Sequence, residues 1–318
     1  MRNFHKTAAQ RRDHYQELTD KIIAALEEGT APWRRPWDKT AGAGATAPVN
    51  AATGHRYRGI NLFVLGMSPL AMSDPRWCSY RQAAERGWQV RKGEKATPVY
   101  FYKPIEIEDR YGEGGAETRR IPILRTFSVF HASQIDGIPD LVPPVAATKT
   151  VPERIEDVEI IVKASGVPVR IGGDRAFYSP PLDLIQMPPD EAFHSPEKRA
   201  ATLIHELAHA SGHPSRLNRD LSGKFGSALY AKEEIRAEWT SCAVGSILGL
   251  PCDVPNHASY LQSWIEVLKQ DRREIFHAAA EAQRIADYIL SLHRDHAQHL
   301  REAVEDEGEA RLDPPLAA

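Results

Sequence analysis

Five residues constrain this chain more than any others. His205, Glu206, Leu207, Ala208 and His209 spell H-E-x-x-H inside the run AATLIHELAHASGH, residues 200–213. On an α-helix, residues four apart lie on one face a turn from each other, so His205 and His209 are expected to aim two imidazoles at one point. Two neutral imidazoles so placed can share a Zn²⁺-type ion, with Glu206 beside them as general base for a water. The flanks ask for a helix. Ser195 suits the N-cap, Pro196 the first helical position and Glu197 the positive helix end, and Gly212 can end the run. A core helix with two solvent-bonded histidines would carry the same letters, but the apolar, capped setting argues for the metal.

Such a centre needs a third protein ligand. The stretch YAKEEIRAEW, residues 230–239, opens a second helix whose apolar stripe is Ile235, Trp239, Ala243, Ile247 and Leu248. Glu234 and Glu238 fall four apart on one face. Two carboxylates at the edge of a buried stripe are costly unless a cation compensates them, and a metal held by two histidines would do so. Glu234 as ligand and Glu238 as partner to a histidine N–H is the economical assignment. Ion pairing with Lys232 or Arg236 is the plain alternative. His213 competes as third ligand, although it lies beyond Gly212. The expected ion is Zn²⁺, and a His₂Glu set also accepts Mn²⁺ or Co²⁺. H-E-x-x-H followed by a Glu on the next helix resembles the gluzincin metallopeptidases.

At 318 residues, 42% hydrophobic and 26% charged, the chain has apolar material for real cores and a length that suggests two domains. No run approaches 18 apolar residues, so no membrane span is expected. The opening MRNFHKTAAQRRDHYQ lacks the apolar centre of a secretory signal. Cys78, Cys242 and Cys252 are few, odd in number and without a C-x-x-C pair, which fits a reducing cytoplasm and excludes a cysteine zinc cluster. Charge is uneven: residues 1–145 carry 21 Lys and Arg against 16 Asp and Glu, whereas the remainder carries 19 against 27. A basic front half points to an anionic partner.

Along the chain, residues 14–28 read as an amphipathic helix with Leu18, Ile22, Ile23, Ala25 and Leu26 inward. APWRRPW, residues 31–37, then sets two Pro-Trp steps around an arginine pair, where proline forbids regular structure. Residues 79–87 suggest a short helix, 88–95 a strand and basic turn, and 97–103 and 125–131 two further strands. Interleaved aromatics and arginines suit a single-stranded nucleic acid, whose bases stack on rings while cations track its phosphates. Core packing of Trp33, Trp37, Trp77 and Trp88 is the alternative. The proline-rich PDLVPPVAATKTVP reads as a linker. Beyond it, a helix from Val151 and strands at 169–171 and 177–187 precede the metal helix. Residues 183–187 are expected either to form an edge strand open to a peptide or to close the sheet.

The expected fold is therefore α+β in two domains. A small domain spans 1–138, a linker 139–152, a gluzincin-like domain with the H-E-x-x-H helix 153–301, and an acidic tail 302–318. The wider text resembles one family in particular. HELAHASGHPSRLNR and GKFGSALYAKEEIRAE are similar to the metallopeptidase-like domain of the ArdC antirestriction proteins of conjugative plasmids. APWRRPW, PVNAATGHRYRGIN, YRQAAERGWQVRKGEKATPVYFY and FSVFHASQIDG resemble that family's N-terminal domain, in the same order.

This resemblance implies single-stranded DNA as partner and protection of incoming plasmid DNA from host restriction endonucleases. It marks Trp33, Arg34, Trp37, Tyr57, Arg58, Asn61, Tyr80, Arg91, Lys92 and Lys95 as strand contacts. Two alternatives stay open. One is an active zinc metallopeptidase that cuts a restriction or other DNA-bound protein, with Glu206 as base and Tyr230 at the oxyanion. The other is a regulatory binding module stapled by its metal.

Overall fold

Asp13 accepts a hydrogen bond from the Gln16 amide and so starts α1 (His14–Glu27), which buries Leu18, Ile22, Ile23 and Leu26. The computed structural model describes residues 13–29, 47–72, 74–109, 117–141, 149–252 and 261–297. Trp33, Arg34 and Trp37 lie outside these residues, as do the expected tail and positions 142–148 of the expected linker.

The front half is a four-stranded sheet with short helices. Its strands are β1 (Val49–Asn50), β2 (Arg76–Ser79), β4 (Thr97–Asp109) and β5 (Glu117–His131), in the order β1-β2-β5-β4. β3 (Gln89–Val90) pairs separately with β6 (Ile135–Asp136). Between them come α2 (Ile60–Gly66) and α3 (Tyr80–Glu85). Ser79 and Gln82 form a capping box at the start of α3, as the sequence S-x-x-Q invites. β4 and β5 run longer than their alternating cores suggested, pairing antiparallel from Thr97 opposite Val129 to Asp109 opposite Glu117.

The second half begins with α4 (Val151–Ser165), capped through Thr150 and Glu153. Then come β7 (Val169–Ile171), β8 (Phe177–Ser179) and β9 (Leu184–Met187), followed by α5 (Pro196–Ala210), α6 (Ala228–Leu248), α7 (Leu261–Gln270) and α8 (Glu274–Ser291). The sheet order is β7-β9-β8. Residues 184–187 therefore occupy the middle of the sheet and close it. β9 spends both of its edges on neighbours, so β7 and β8 are the edge strands, and β8 is the one that lines the cleft described below.

The halves share one apolar core rather than meeting through a linker alone. Phe63 of α2 stacks on Trp239 of α6 with ring centroids 3.9 Å apart. Tyr15 of α1 and Tyr100 of β4 set their edges against Phe276 of α8, at 4.8 and 5.4 Å. Polar contacts pin the same junction. Arg58 pairs with Asp287 at 2.5 Å, and the Gly59 amide donates to the Gln283 side chain. Cys242 and Cys252 form a disulfide beside the end of α6, while Cys78 is a buried thiol. Among the described residues, no helix is long and apolar enough to cross a membrane.

Candidate metal centre

The H-E-x-x-H segment forms as its caps demand. The Ser195 hydroxyl accepts from the Lys198 amide, Pro196 opens α5, and every residue from Ala200 to Ala208 is buried. α6 crosses it, tied by a hydrogen bond from the Ser241 hydroxyl to the Ala201 carbonyl. Two glycines let the connecting loop fold back between the helices. A Cβ at Gly212 would meet Leu221 and Arg219 at about 3 Å, and one at Gly223 would sit 2.6 Å from the Tyr230 amide nitrogen. The loop consequently lies against the first turn of α6, which Ser227 caps.

This packing brings His205, His209 and Glu234 together. The two Nε2 atoms are 3.2 Å apart, and the Glu234 oxygens lie 3.7 Å from His205 Nε2 and 3.5 Å from His209 Nε2. Donors bound to one tetrahedral ion at about 2.0–2.2 Å are separated by roughly 3.3–3.6 Å, so the three residues fit a single divalent cation. The surrounding charge fits it too. Glu206, Glu233 and Glu234 crowd the two histidines, which makes the cleft a strongly negative field. Burial alone would lower the His209 imidazole, but these carboxylates hold it up to about 9. Burial would raise Glu234, yet His209, His205 and a hydrogen bond with Tyr230 pull it down to about 2.

Glu206 stands apart from this set. It is buried and does not join the three converging donors, and burial pushes its carboxyl upward against the pull of His205 and His209. The backbone amide of Tyr178, on the open edge of β8, donates to it. The acid and the edge strand therefore meet in one cleft of about 850 Å³, whose walls also carry Phe177, Phe193, Lys198, Phe225 and Tyr230.

Three other residues singled out in the sequence lie around this set. His213 does not join the three donors: its Nδ1 faces Ser215 at 2.8 Å and Asp183 at 3.9 Å, because the chain has already left the helix at Gly212. The carboxylate partner of His209 Nδ1 is Glu233, at 3.2 Å, whereas Glu238 is fully buried further along α6 near Cys242 and Cys252. Glu233 is in turn held by Arg219 at 2.5 Å, and Arg219 also donates to the Ala208 carbonyl and the Ser211 hydroxyl. Glu233 could have been suspected from the Glu-Glu doublet. Arg219 carries no local signal, since only the folded loop delivers it. Tyr230 lines the cleft but bonds Glu234.

Among the described residues, those expected to touch DNA differ in what their side chains already bind. Asn61 is buried, donating to the Tyr100 carbonyl at 2.8 Å and accepting from the Tyr100 amide at 2.7 Å, and so braces that strand. Arg58 is committed to Asp287, and half-buried Tyr57 packs beneath the sheet near Asn50. Arg91 is exposed but paired with Glu94 and Asp136. Tyr80, Lys92 and Lys95 are exposed.

Comparison with known proteins follows the same division. Residues 12–130 match the model of the N-terminal domain of anti-restriction factor ArdC, and residues 156–281 that of a zincin-like metallopeptidase. A metal-free crystal structure of the antirestriction protein ArdC from plasmid R388 is similar with a TM-score of 0.73. It is 40% identical, over 90% of this chain and 99% of that one. The Mn(II)-bound form of that protein gives a TM-score of 0.72 at 39% identity, over 88% and 98% of the two chains. The DNA primase TraC of Escherichia coli is 42% identical in an alignment 298 residues long that covers 89% of this chain but 20% of the primase.

Proposed function

This chain belongs to the ArdC antirestriction family, and from that premise we propose that it binds single-stranded DNA and shields incoming plasmid DNA from restriction endonucleases in the recipient cytoplasm. The observation that carries the reading is the match of residues 12–130 to the ArdC N-terminal domain, within a chain 40% identical to ArdC over nearly its whole length. The charge distribution supports it, because the positive excess lies in that half. Of the contacts expected from the sequence, Tyr80, Lys92 and Lys95 are the exposed ones among the described residues, with Arg91 beside them in its ion pairs. Trp33, Arg34 and Trp37 remain part of the proposal through the resemblance.

The second domain is zincin-like, and we assign His205, His209 and Glu234 as the ligands of a divalent cation, Zn²⁺ or Mn²⁺. A cation bound there would supply Lewis acidity. The protein's own groups supply the rest. Glu233 and Arg219 keep the His209 ring oriented, and Glu206 can take and return a proton because burial raises its affinity for one. The open edge of β8 can pair with an extended peptide backbone.

A second reading, hydrolysis of a restriction or other DNA-bound protein, is favoured by one feature. A purely structural site gains nothing from a buried acid set beside its ligands.

Two measurements test these readings. The full chain is titrated with labelled single strands and with duplex of the same sequence at several salt concentrations. Tighter single-strand binding that weakens steeply with salt is expected, and equal affinity for duplex would count against the proposal. Wild type and Glu206→Ala are then compared in protecting an unmodified conjugative plasmid entering a restricting host. Protection that survives the change makes strand binding sufficient, and protection lost with metal and DNA binding intact assigns chemistry to Glu206.

A further inference from the structure

The register of β4 and β5 puts two large apolar rings where folding alone does not need them. Thr97 faces Val129, Val99 faces Phe127 and Phe101 faces Arg125, so these side chains share one face of the sheet. At one end, that face is rooted in a small core, where Val99 and Val129 are buried with Leu65 and Trp77. At the other it emerges into solvent. Phe127 is 53% exposed and Phe101 46%, their rings edge-to-face at 5.4 Å, with Ile123 and Arg125 exposed beside them. The opposite face needs no cover, because Tyr100 and Leu124 pack on the shared core.

Two further residues lie past the Thr97–Val129 end of the same strands. Tyr80, 55% exposed, directly follows Ser79, which pairs with Val129 of β5. Lys95 leads into β4. Among the described residues Lys92, Lys95 and Arg125 enter no ion pair with a carboxylate, unlike Arg58, Arg76, Arg81 and Arg91. Exposed rings flanked by uncompensated cations suit a ligand that offers flat π-faces along an anionic backbone. A lipid surface would call for a larger apolar area, and a duplex hides its base faces.

Resting on the single-strand reading above, we propose that the outer face of β4–β5 is the stacking platform, with Phe101 and Phe127 receiving successive bases and Arg125, Lys92 and Lys95 following the phosphates. Tyr80, Lys92 and Lys95 are among the contacts that the resemblance marks, whereas Phe101 and Phe127 are not.

The test titrates the full-length chain with a fluorescein-labelled oligo(dT) of about 20 nucleotides, long enough to cover one such site. Phe101→Ala/Phe127→Ala is expected to weaken binding at least about 30-fold while leaving the salt dependence of binding unchanged, because stacking releases no counterions. Phe101→Tyr/Phe127→Tyr should restore most of the affinity. Lys92→Ala/Lys95→Ala should instead flatten the salt dependence. On the wild-type chain, oligo(dT) carrying 5-iodouracil should photocrosslink to the strands holding Phe101 and Phe127, a readout independent of whether the variants fold. Full affinity in the double alanine variant, or crosslinks confined to other segments, overturns this proposal alone. A wild-type chain that binds no single strand overturns it together with the reading it rests on. A change in sedimentation with unchanged DNA binding would make the face a contact between copies of the chain.

Discussion

The metal cleft and the β4–β5 face solve opposite problems. In the cleft, charges are buried and each is answered: Arg219 by Glu233, Glu233 by His209, and Glu234 by both histidines. On the sheet face, rings and cations stand in solvent with their partners unsupplied by the protein. A site that holds a small ion must be completed from within, because every unmatched buried charge costs several kcal/mol. A site that holds a long flexible polymer is completed by the polymer. Buried and paired groups mark the first kind, and exposed and unpaired ones mark the second.

The sharpest way to break this contrast is to remove one ligand. His205→Ala should lose metal affinity by at least about 100-fold, measured by metal content after dialysis, with oligo(dT) affinity unchanged. Retention of one equivalent would move the centre elsewhere. The two regions nonetheless share a core, so Phe63→Ala should cost about 3–5 kcal/mol through the lost stack on Trp239. Calorimetry should still show one transition for both halves, and two separate transitions would mean that each half stands alone.

Smaller effects are expected further from the ligands. Glu233→Ala should loosen metal by about 10–100-fold, with Arg219→Ala acting in the same direction, because His209 then loses the partner that fixes its ring. An equal loss of DNA binding would contradict the division of labour. The smallest effect concerns the tie between β8 and the turn after α5. Arg216 and Tyr178 both donate to Asp183, and Arg216, against the opposing effect of partial burial, holds that carboxyl below its ordinary value. A depressed carboxyl stabilises the fold above its unfolded value and ceases to do so as pH falls through its folded one. Asp183→Asn should therefore cost under about 1 kcal/mol near neutral pH, with the difference from wild type vanishing in acid. Asn tolerates the left-handed backbone at this position, φ 45°, so strain should not confuse the reading. A difference that grows toward low pH would refute the pairing.

Much of the metal centre was legible because its grammar is local. His205 and His209, and Glu234 on the following helix, are placed by helical spacing, and the Ser195 and Ser227 caps fix where α5 and α6 begin. What spacing could not supply was the choice between carboxylates four and one residues apart, which depends on how α6 crosses α5. Arg219 was invisible for the same reason, arriving on a loop that only Gly212 and Gly223 allow to fold back.

The front half was less legible. A tyrosine, arginine or asparagine in a motif reads alike whether it meets a strand or its own protein. Asn61 turned out to brace the Tyr100 backbone and Arg58 to bridge to Asp287, while Phe101 and Phe127 stand exposed on the outer face of the sheet.

By itself, then, the amino-acid order pointed to the α+β class, the family and the three donors that the fold brings together, because short-range periodicity and capping act within a few residues. Only the tertiary structure decided which strand lies open, which carboxylate steadies His209 and which rings reach solvent. Those outcomes depend on register and helix crossing between segments tens to hundreds of residues apart, and no local pattern encodes such distances.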